Sequence, residues 1–343
     1  MDKNLDLFCS ILSRETGLSF PTSRYSFVEN RLAPLLEKYQ ATDPNDLILK
    51  AKHDLNIRID IINTLTTNET WFFRHPEHFE ILKENVFPQI IKTKSNKIIN
   101  IWSAGCSTGA ELYSILITAK ESIPESENIR INILGSDISY EAIQAAKKSI
   151  YSSRELRETP SYLIEKYFTK IGDETYKIND VMKKDVSFEF LNLLETWPPR
   201  TFDIIFCRNT MIYFNKENKE KLIKKFFRSL ELDGYFFTSA NEQIDLNNEE
   251  YGFNKLYLKN EYIYQKTSQR IKTCDIFFKS PTDLLRATNL LKKNSFYFQY
   301  GSVDKKAKNR IRYIKVFSYD YDKIIRFLVF HSIEPFINPL SYR

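Results

Sequence analysis

The stretch IWSAGCSTGAE at residues 101–111 decides the fold class, because an apolar strand enters a turn of small residues and leaves it as a helix. Small side chains let a cofactor approach the backbone at the carboxyl end of a strand. The next apolar strand ends at Asp137, whose carboxylate would lie beside the same crevice and accept hydrogen bonds from a ribose diol. Gly105 and Asp137 are 32 residues apart, longer than the ~20 residues typical of a dinucleotide fingerprint. Together these features favour an adenosyl cofactor over NAD.

Apolar runs and amphipathic segments alternate on both sides of this stretch, which predicts an α/β fold with a largely parallel sheet covered on both faces. Strands are expected in the apolar runs at residues 98–102, 131–134, 188–191, 202–207 and 235–238. Helices are expected between them at residues 111–119, 140–149 and 217–230. The stretch from residue 169 to 178 is predicted to be a hairpin that turns at Gly172, within a small insert at about 169–186.

The regions on either side of the predicted sheet differ from it in the spacing of their apolar residues and in their charge. Residues 1–68 show apolar positions at helical spacing, which predicts a small all-helical domain before the sheet domain of residues 69–265. Residues 266–270 are expected to form a linker, and residues 266–343 a basic extension to which the sequence assigns no fold. Within that extension a helix is predicted at 281–291 and a strand at 297–300.

Composition and charge narrow the class of protein. The chain of 343 residues is 42% hydrophobic and carries a net charge of +6, enough apolar content to bury a large core. Residues 266–343 hold 16 Lys and Arg against 6 Asp and Glu, a net of +10, so the rest of the chain is net acidic at −4. A charged amino terminus and the absence of a long apolar run predict a cytoplasmic protein. The four cysteines lack C-x-x-C spacing and are expected to be reduced thiols rather than zinc ligands.

A third strand ends just before Arg208, Asn209 and Tyr213, so these side chains should emerge at the carboxyl edge of the sheet. The sequence has no Asn-Pro-Pro-Tyr motif of the kind that would indicate amine methylation. Cys207 has no activating His or Lys beside it, and a buried strand cysteine is the commoner interpretation. His75 and His78 flank Pro76 without an evident third ligand, so we interpret them as residues of a helix start and expect no metal.

Five motifs in register resemble those of the CheR family of chemotaxis receptor methyltransferases. They are NETWFFR at 68–74, WSAGCSTG at 102–109, GSDI at 135–138, NLLE at 192–195, and FCRN at 206–209 followed by YF at 213–214. The resemblance covers roughly residues 1–265. It implies a Rossmann-like class I methyltransferase sheet with an N-terminal all-helical domain and a small β-hairpin insert. It also implies that S-adenosylmethionine donates a methyl group to glutamate side chains of chemoreceptor helices, leaving S-adenosylhomocysteine.

The same resemblance assigns roles to residues of the matched motifs. It places polar groups around cofactor and substrate at Asn68, Thr70 and Arg74, and an acid for the methionine amino group at Glu111. It makes Asp137 the ribose acid. It assigns the adenine contacts to Asn192 and Leu193 and the crevice floor to Arg208 and Asn209. It places Tyr213 next to the transferable methyl group. Without the resemblance, Arg74 would be interpreted as a surface ion-pair residue and Tyr213 as a core aromatic.

Two alternative functions remain open on the sequence: a non-catalytic S-adenosylmethionine-binding module, and an RNA methyltransferase recruited by the basic tail. The favoured reading expects receptor helices as partners, no nucleic acid, and membrane proximity only through the receptor. Arg24, Arg31 and Lys38 recur every seven residues and would face acidic receptor helices. The hairpin connection looks short for the family, so no tether to a receptor peptide is expected.

Overall fold

The computed structural model describes residues 3–195, 197–244, 252–267, 273–278, 280–293, 299–303, 311–317, 324, 328, 333 and 335–336. The chain divides into two compact units. The first comprises Met1–Leu246 with Phe253–Thr267, and the second comprises Asn247–Gly252 with Ser268–Arg343.

Four helices open the first unit: α1 (Lys3–Thr16), α2 (Tyr25–Lys38), α3 (Pro44–Ala51) and α4 (Leu55–Leu65). Helix α3 begins where the Asp43 carboxylate accepts hydrogen bonds from two backbone N–H groups of the first turn and Pro44 occupies the first position. Apolar residues at helical spacing share one core, which includes Phe8, Leu32 and Ile61. The helical pattern predicted for residues 1–68 is therefore present over residues 3–65.

A seven-stranded sheet forms the centre of the first unit. Its strands are β1 (Ile98–Ala104), β2 (Arg130–Asp137), β6 (Val186–Phe190), β7 (Phe202–Phe206), β8 (Leu230–Phe237), β9 (Phe253–Leu258) and β10 (Glu261–Lys266). The strand order is β6-β2-β1-β7-β8-β10-β9. The pairs from β6 to β8 are parallel, and β10 pairs antiparallel with both β8 and β9. The predicted α/β fold with a largely parallel sheet is confirmed, and all five predicted strands are present.

Helices cover this sheet and connect its strands. They are α5 (Pro76–Ile81), α6 (Phe87–Thr93), α7 (Ala110–Ser122), α8 (Tyr140–Lys148), α9 (Ser161–Tyr167) and α10 (Lys216–Ser229), with a π-helical turn Leu82–Val86 between α5 and α6. Helix α7 is buried along most of its length, as expected for a helix packed into an α/β core. Because β1 and α7 flank the turn of small residues, the strand, turn and helix predicted for residues 101–111 are confirmed.

The predicted hairpin consists of β4 (Phe168–Gly172) and β5 (Thr175–Ile178) and belongs to a separate three-stranded sheet. Its third strand, β3 (Ile150–Ser152), pairs antiparallel with β5. The sequence analysis missed β3 because a strand of three residues is too short to show an alternating pattern.

Within its described residues, the second unit has an antiparallel sheet of four strands in the order β12-β13-β11-β14 and one helix. Its elements are β11 (Thr273–Phe278), α11 (Pro281–Lys293), β12 (Gln299–Val303), β13 (Ile311–Phe317) and β14 (Pro335–Phe336). The helix predicted at 281–291 is present. Of the strand predicted at 297–300, residues 299–300 lie in β12, whereas 297–298 fall outside the described residues. The linker predicted at 266–270 lies outside them from residue 268 onward.

Candidate functional site

A cleft of about 1070 Å³, including the part open to solvent, lies at the carboxyl ends of β1, β2 and β7. The helical region contributes one wall, through residues such as Leu18 and Arg24, and the segment that follows α4 contributes another. Open α/β sheets bind ligands at this edge. All ten site residues named from the sequence line this cleft: Asn68, Thr70, Arg74, Glu111, Asp137, Asn192, Leu193, Arg208, Asn209 and Tyr213.

Gly105 begins the turn that floors the cleft. Its φ of 86° is left-handed, and a Cβ on it would lie 2.1 Å from the Thr210 Oγ1, so glycine is required both for conformation and for space. The backbone N–H groups of Gly105 and Cys106 both donate to the Ser136 carbonyl, which ties the turn to the end of β2. The turn therefore holds two strand ends together beneath the cleft.

Asp137 ends β2, and two backbone N–H groups fix its carboxylate. The N–H of Ser107 donates to one oxygen at 2.9 Å and that of Ser139 donates to the other at 2.8 Å. Burial raises the pKa of Asp137, while these hydrogen bonds oppose the rise. Each oxygen keeps lone-pair capacity beyond these bonds. The carboxylate is thus oriented at the cleft wall and can accept hydrogen bonds from two adjacent hydroxyl groups.

Glu111, in the first turn of α7, is the second buried acid of the cleft. The Ser103 hydroxyl donates to one of its oxygens at 2.7 Å, and the Arg208 guanidinium lies 3.5 Å from the other. Burial raises the pKa of Glu111, and the nearby cation and the Ser103 hydrogen bond oppose the rise. A buried carboxylate of this kind suits an ammonium group of a ligand.

Arg208 follows β7 and is only 5% exposed. Besides facing Glu111, its guanidinium donates to the Arg74 backbone carbonyl. Burial lowers the pKa of Arg208, and the Glu111 carboxylate acts in the opposite direction. The Glu111 carboxylate compensates the charge of Arg208, and the hydrogen bond from Arg208 stabilises the backbone at Arg74.

The segment after α4 carries the motif residues Asn68, Thr70 and Arg74 along the cleft. The Asn68 side chain donates to the Ser139 hydroxyl at 3.1 Å, and the Asn68 backbone carbonyl accepts from the Ser107 hydroxyl at 2.9 Å. These bonds join the segment to both turns that hold Asp137. The Arg74 guanidinium donates to the Glu69 carbonyl at 3.2 Å and lies 4.4 Å from the centre of the Trp71 ring.

The loop at Asn192 and Leu193 follows β6 and forms another wall of the cleft. The Asn192 side chain donates to the Glu15 carbonyl of the helical region at 3.2 Å. The Leu193 carbonyl accepts from the Trp197 indole at 2.5 Å and from Lys225 at 3.5 Å. Lys225 was not predictable from the sequence as a contact of this loop, because a single lysine in the amphipathic helix α10 carries no signal of it.

The loop at Asn209 depends on Glu242, a residue that the sequence analysis also missed. One Glu242 oxygen accepts from the Asn209 backbone N–H at 2.7 Å and the other accepts from that of Ile212 at 3.0 Å. Ser239 and Glu242 also form a capping box over a short 3₁₀ helix. The Ser-x-x-Glu spacing of that box is a sequence signal that could have located this support.

Tyr213 lies where the helical region meets the sheet. Its carbonyl accepts from the Ser19 N–H at 2.6 Å, and the Arg24 guanidinium lies 5.3 Å from the centre of its ring. Of the three basic residues predicted to share a docking face, Arg24 lines the cleft. Lys38 forms an ion pair with Asp60 at 2.5 Å instead.

Other groups considered from the sequence have structural surroundings. His75 precedes α5 as its N-cap and His78 lies buried in the helix, with ring centres 6.3 Å apart. Burial lowers the pKa of His78 well below its usual range. Cys207 is a buried thiol, as are Cys9 and Cys106. Within the described ranges, no group of three or more His, Cys, Asp or Glu residues could hold a metal ion, and no helix has the length and apolarity to cross a membrane.

Comparison with known proteins identifies the family. Residues 68–259 match the family described as CheR methyltransferase, SAM binding domain. A chemotaxis protein methyltransferase of Borreliella burgdorferi is 33% identical over 266 residues, which are 75% of this chain and 94% of that protein. Chemotaxis protein methyltransferase 2 of Vibrio cholerae is 32% identical over 71% of this chain and 86% of that protein. This chain is therefore an S-adenosylmethionine-dependent methyltransferase of the CheR family.

Proposed function

We propose that this enzyme transfers the methyl group of S-adenosylmethionine to glutamate side-chain carboxylates of chemoreceptors and so forms glutamate methyl esters. The observation that carries the proposal is a single cleft that joins two oriented acids, Asp137 and Glu111, to Arg74 and Tyr213. The acids suit the ribose and the amino group of the cofactor. The arginine and the tyrosine suit a carboxylate acceptor and the reacting centre.

The residues present fit the cofactor. Asp137 is fixed by two backbone N–H groups and retains acceptor capacity for a ribose diol. Glu111 has Ser103 and Arg208 as its partners and would hold the ammonium group. Asn192 and Leu193 would border the adenine, and the turn at Gly105 leaves the backbone open to close approach.

Methyl transfer to a carboxylate requires little acid–base catalysis by the protein. The cofactor, when bound, supplies a methyl group already activated by its sulfonium. A glutamate carboxylate is ionised at neutral pH and is itself the nucleophile, so no strong general base is required. The task left for the side chains is alignment. Orientation of two reactants can contribute ~7 to 11 kcal/mol in well-positioned systems.

Arg74 and Tyr213 are proposed as the residues that align the acceptor. Arg74 would hold the substrate carboxylate, since a guanidinium presents donors in a geometry that matches two carboxylate oxygens. Tyr213, between the sheet edge and the helical region, would border the methyl group. Asn68 and Thr70 would close over cofactor and substrate from the segment after α4, and Arg208 and Asn209 would form the floor. All four residues line the cleft.

Neither alternative function is favoured by the family membership. A non-catalytic binding module would need Asp137 and Glu111 but has no use for Arg74 and Tyr213, which both line the cleft. An RNA methyltransferase recruited by the tail would draw on the +10 charge of residues 266–343, but the relatives are chemotaxis protein methyltransferases.

We propose receptor helices as the docking partner, with the reaction on the cytoplasmic side of the membrane and membrane contact only through the receptor. Arg24 lies at the cleft and Arg31 on the same helical region. These cations would attract helices that carry several glutamates, an attraction that weakens with salt.

The experiment that tests the proposal is transfer of a labelled methyl group to membranes that contain chemoreceptors. Label should enter receptor protein and be released by mild base, because methyl esters hydrolyse in base whereas methylated amines do not. Membranes whose receptor glutamates are replaced by alanine provide the control. Label that stays bound in base, or enters RNA instead, would refute the proposed acceptor.

A further inference from the structure

We propose that Arg157 is a positioning residue that acts through the Trp71 ring to hold Arg74 for an acidic substrate, an inference that rests on the proposed function. Two guanidinium groups lie over the same indole. The carbon at the centre of the Arg157 guanidinium is 3.7 Å from the ring centre, and that of Arg74 is 4.4 Å from it. Both distances fall within the ~6 Å of a favourable cation–π contact.

Arg74 has few other side-chain contacts to fix it. Its guanidinium donates to the Glu69 carbonyl at 3.2 Å, while its Nε is buried without a hydrogen-bond partner in the part of the chain that the structure describes. Among those described residues no carboxylate forms an ion pair with it. The Trp71 ring is therefore a surface on which the Arg74 guanidinium rests, so a displacement of the ring is expected to displace the arginine.

Arg157 reaches Trp71 from a turn that is itself anchored to the same segment. The Phe72 backbone N–H donates to the Glu155 carbonyl at 2.9 Å, and the Arg157 guanidinium donates to the Arg154 carbonyl at 2.9 Å. Thr108, in the turn before α7, donates to the Glu155 carboxylate at 3.4 Å. The turn is thus tied both to the segment of Arg74 and to the floor of the cleft.

Two cations over one ring repel each other, so the arrangement also raises the positive potential beside Arg74. A substrate carboxylate relieves that repulsion, and so would neighbouring acids on the same receptor helix. Arg157 does not line the cleft that Asp137 and Glu111 share. Its loss should therefore affect the acceptor and spare the cofactor.

Arg154 supplies a matched control for this inference. It belongs to the same turn, its side chain is 82% exposed, and it lies 3.7 Å from the Glu69 carboxylate. Arg154→Ala removes the same charge a few residues away. Of the two variants, only Arg157→Ala also removes the contact with the Trp71 ring.

The test measures kcat and KM for receptor membranes, together with S-adenosylhomocysteine affinity by calorimetry. Arg157 is exposed, and a cation–π contact at an exposed site contributes about 0.5 to 1 kcal/mol, which corresponds to a change of about 2- to 5-fold. Arg157→Ala should therefore lower kcat/KM by about 2- to 5-fold with unchanged affinity for the product. Arg154→Ala should lower it by less than Arg157→Ala does. Equal losses in the two variants would show general charge attraction and overturn the positioning role, as would no loss in either.

A double-mutant cycle tests whether the ring is the intermediary. If Arg157 acts through Trp71, the Trp71→Leu variant should be no further impaired by Arg157→Ala, whereas additive losses would overturn the inference. Should Trp71→Leu fail to bind S-adenosylhomocysteine, Trp71→Phe repeats the cycle with a ring retained, and coupling should then be reduced rather than abolished. Wild-type enzyme that binds S-adenosylhomocysteine but methylates no receptor would refute the proposed function itself, a result distinct from equal losses in the arginine variants.

Discussion

Asp137 is oriented by backbone N–H groups and not by a cation, so its removal should affect the cofactor without freeing a buried positive charge. We predict that Asp137→Ala weakens S-adenosylhomocysteine binding by about 10-fold or more, because charge-assisted hydrogen bonds to the ribose are lost. Calorimetry measures the affinity. Glu141→Ala, which removes an exposed acid from the nearby helix α8, should bind normally. Unchanged affinity in a folded Asp137→Ala protein would contradict the ribose assignment.

Arg74→Ala should lower turnover on receptor membranes at least ~10-fold, the effect of losing about 1.4 kcal/mol of transition-state stabilisation. The physical reason is the loss of the group that orients the acceptor carboxylate. Arg74→Lys keeps the charge but loses the planar fork, so its turnover should fall between those of wild type and Arg74→Ala. Wild-type turnover in Arg74→Ala would refute the role in alignment.

The buried Lys225 should make the stability of the folded protein depend on pH. Burial, with help from the neighbouring charge of Arg228, lowers the pKa of Lys225 from 10.5 to about 8. Between pH 8 and about 10.5 the unfolded chain therefore binds more protons at this lysine than the folded protein does, so its contribution to stability rises with pH. Urea unfolding should show the wild type gaining stability relative to Lys225→Met between pH 8 and pH 10. A constant difference would mean that Lys225 titrates normally in the folded protein.

At the scale of single residues, the site residues that belong to the family's motifs were predictable from the sequence. All ten predicted site residues line the cleft. The resemblance to the family assigned them, and strand ends separately indicated Asp137, Arg208, Asn209 and Tyr213. Supporting contacts were not predictable in the same way. The Trp71 ring under Arg157 and the Lys225 amine on the Leu193 carbonyl join segments far apart in sequence, and only the folded backbone brings them together.

At the scale of elements, the β4–β5 hairpin motivates a prediction about docking. The sequence predicts a connection that is short for the family, so we expect no tether to a terminal receptor peptide, although β4 is an edge strand of its small sheet. Removing that peptide should leave methylation unchanged. Neutralising Arg24 and Arg31 should slow it, with initial rates measured at low and high salt. Methylation that collapses without the peptide and ignores both arginines would make the edge of β4 the tether.

The strands differ in how well they can be predicted from the sequence. Central strands such as β1 and β7 are continuous apolar runs, because parallel strands are buried on both faces, and the sequence analysis located them. Strand β9 has no buried position and β10 has two, and neither alternates regularly between apolar and polar residues. Because the pattern typical of a half-buried strand is missing, neither was predicted as a separate strand.

At the scale of the whole molecule, the second unit should be dispensable for cofactor binding. Every cleft residue that the structure describes belongs to the first unit, between Leu18 and Phe214. We predict that a chain ending at Thr267 binds S-adenosylhomocysteine with unchanged affinity in calorimetry. Its rate on receptor membranes, compared with that of the full chain at two salt concentrations, reports what the +10 tail contributes to docking. Lost cofactor affinity would show that the tail supports the first unit.

The contacts that hold the helical region against the sheet have a consequence for how the protein forms during synthesis. Asn192 reaches back 177 residues to the Glu15 carbonyl, and Asn218 reaches back 201 residues to that of Gly17. The helices α1 to α4 emerge from the ribosome before the sheet does and can pack their own core by local contacts. Their docking partners emerge only after β1, β2 and β6 have been made, so the wall that completes the cleft forms after these strands have been translated. A nascent chain stalled before residue 192 should therefore hold folded helices but no methyl-donor site.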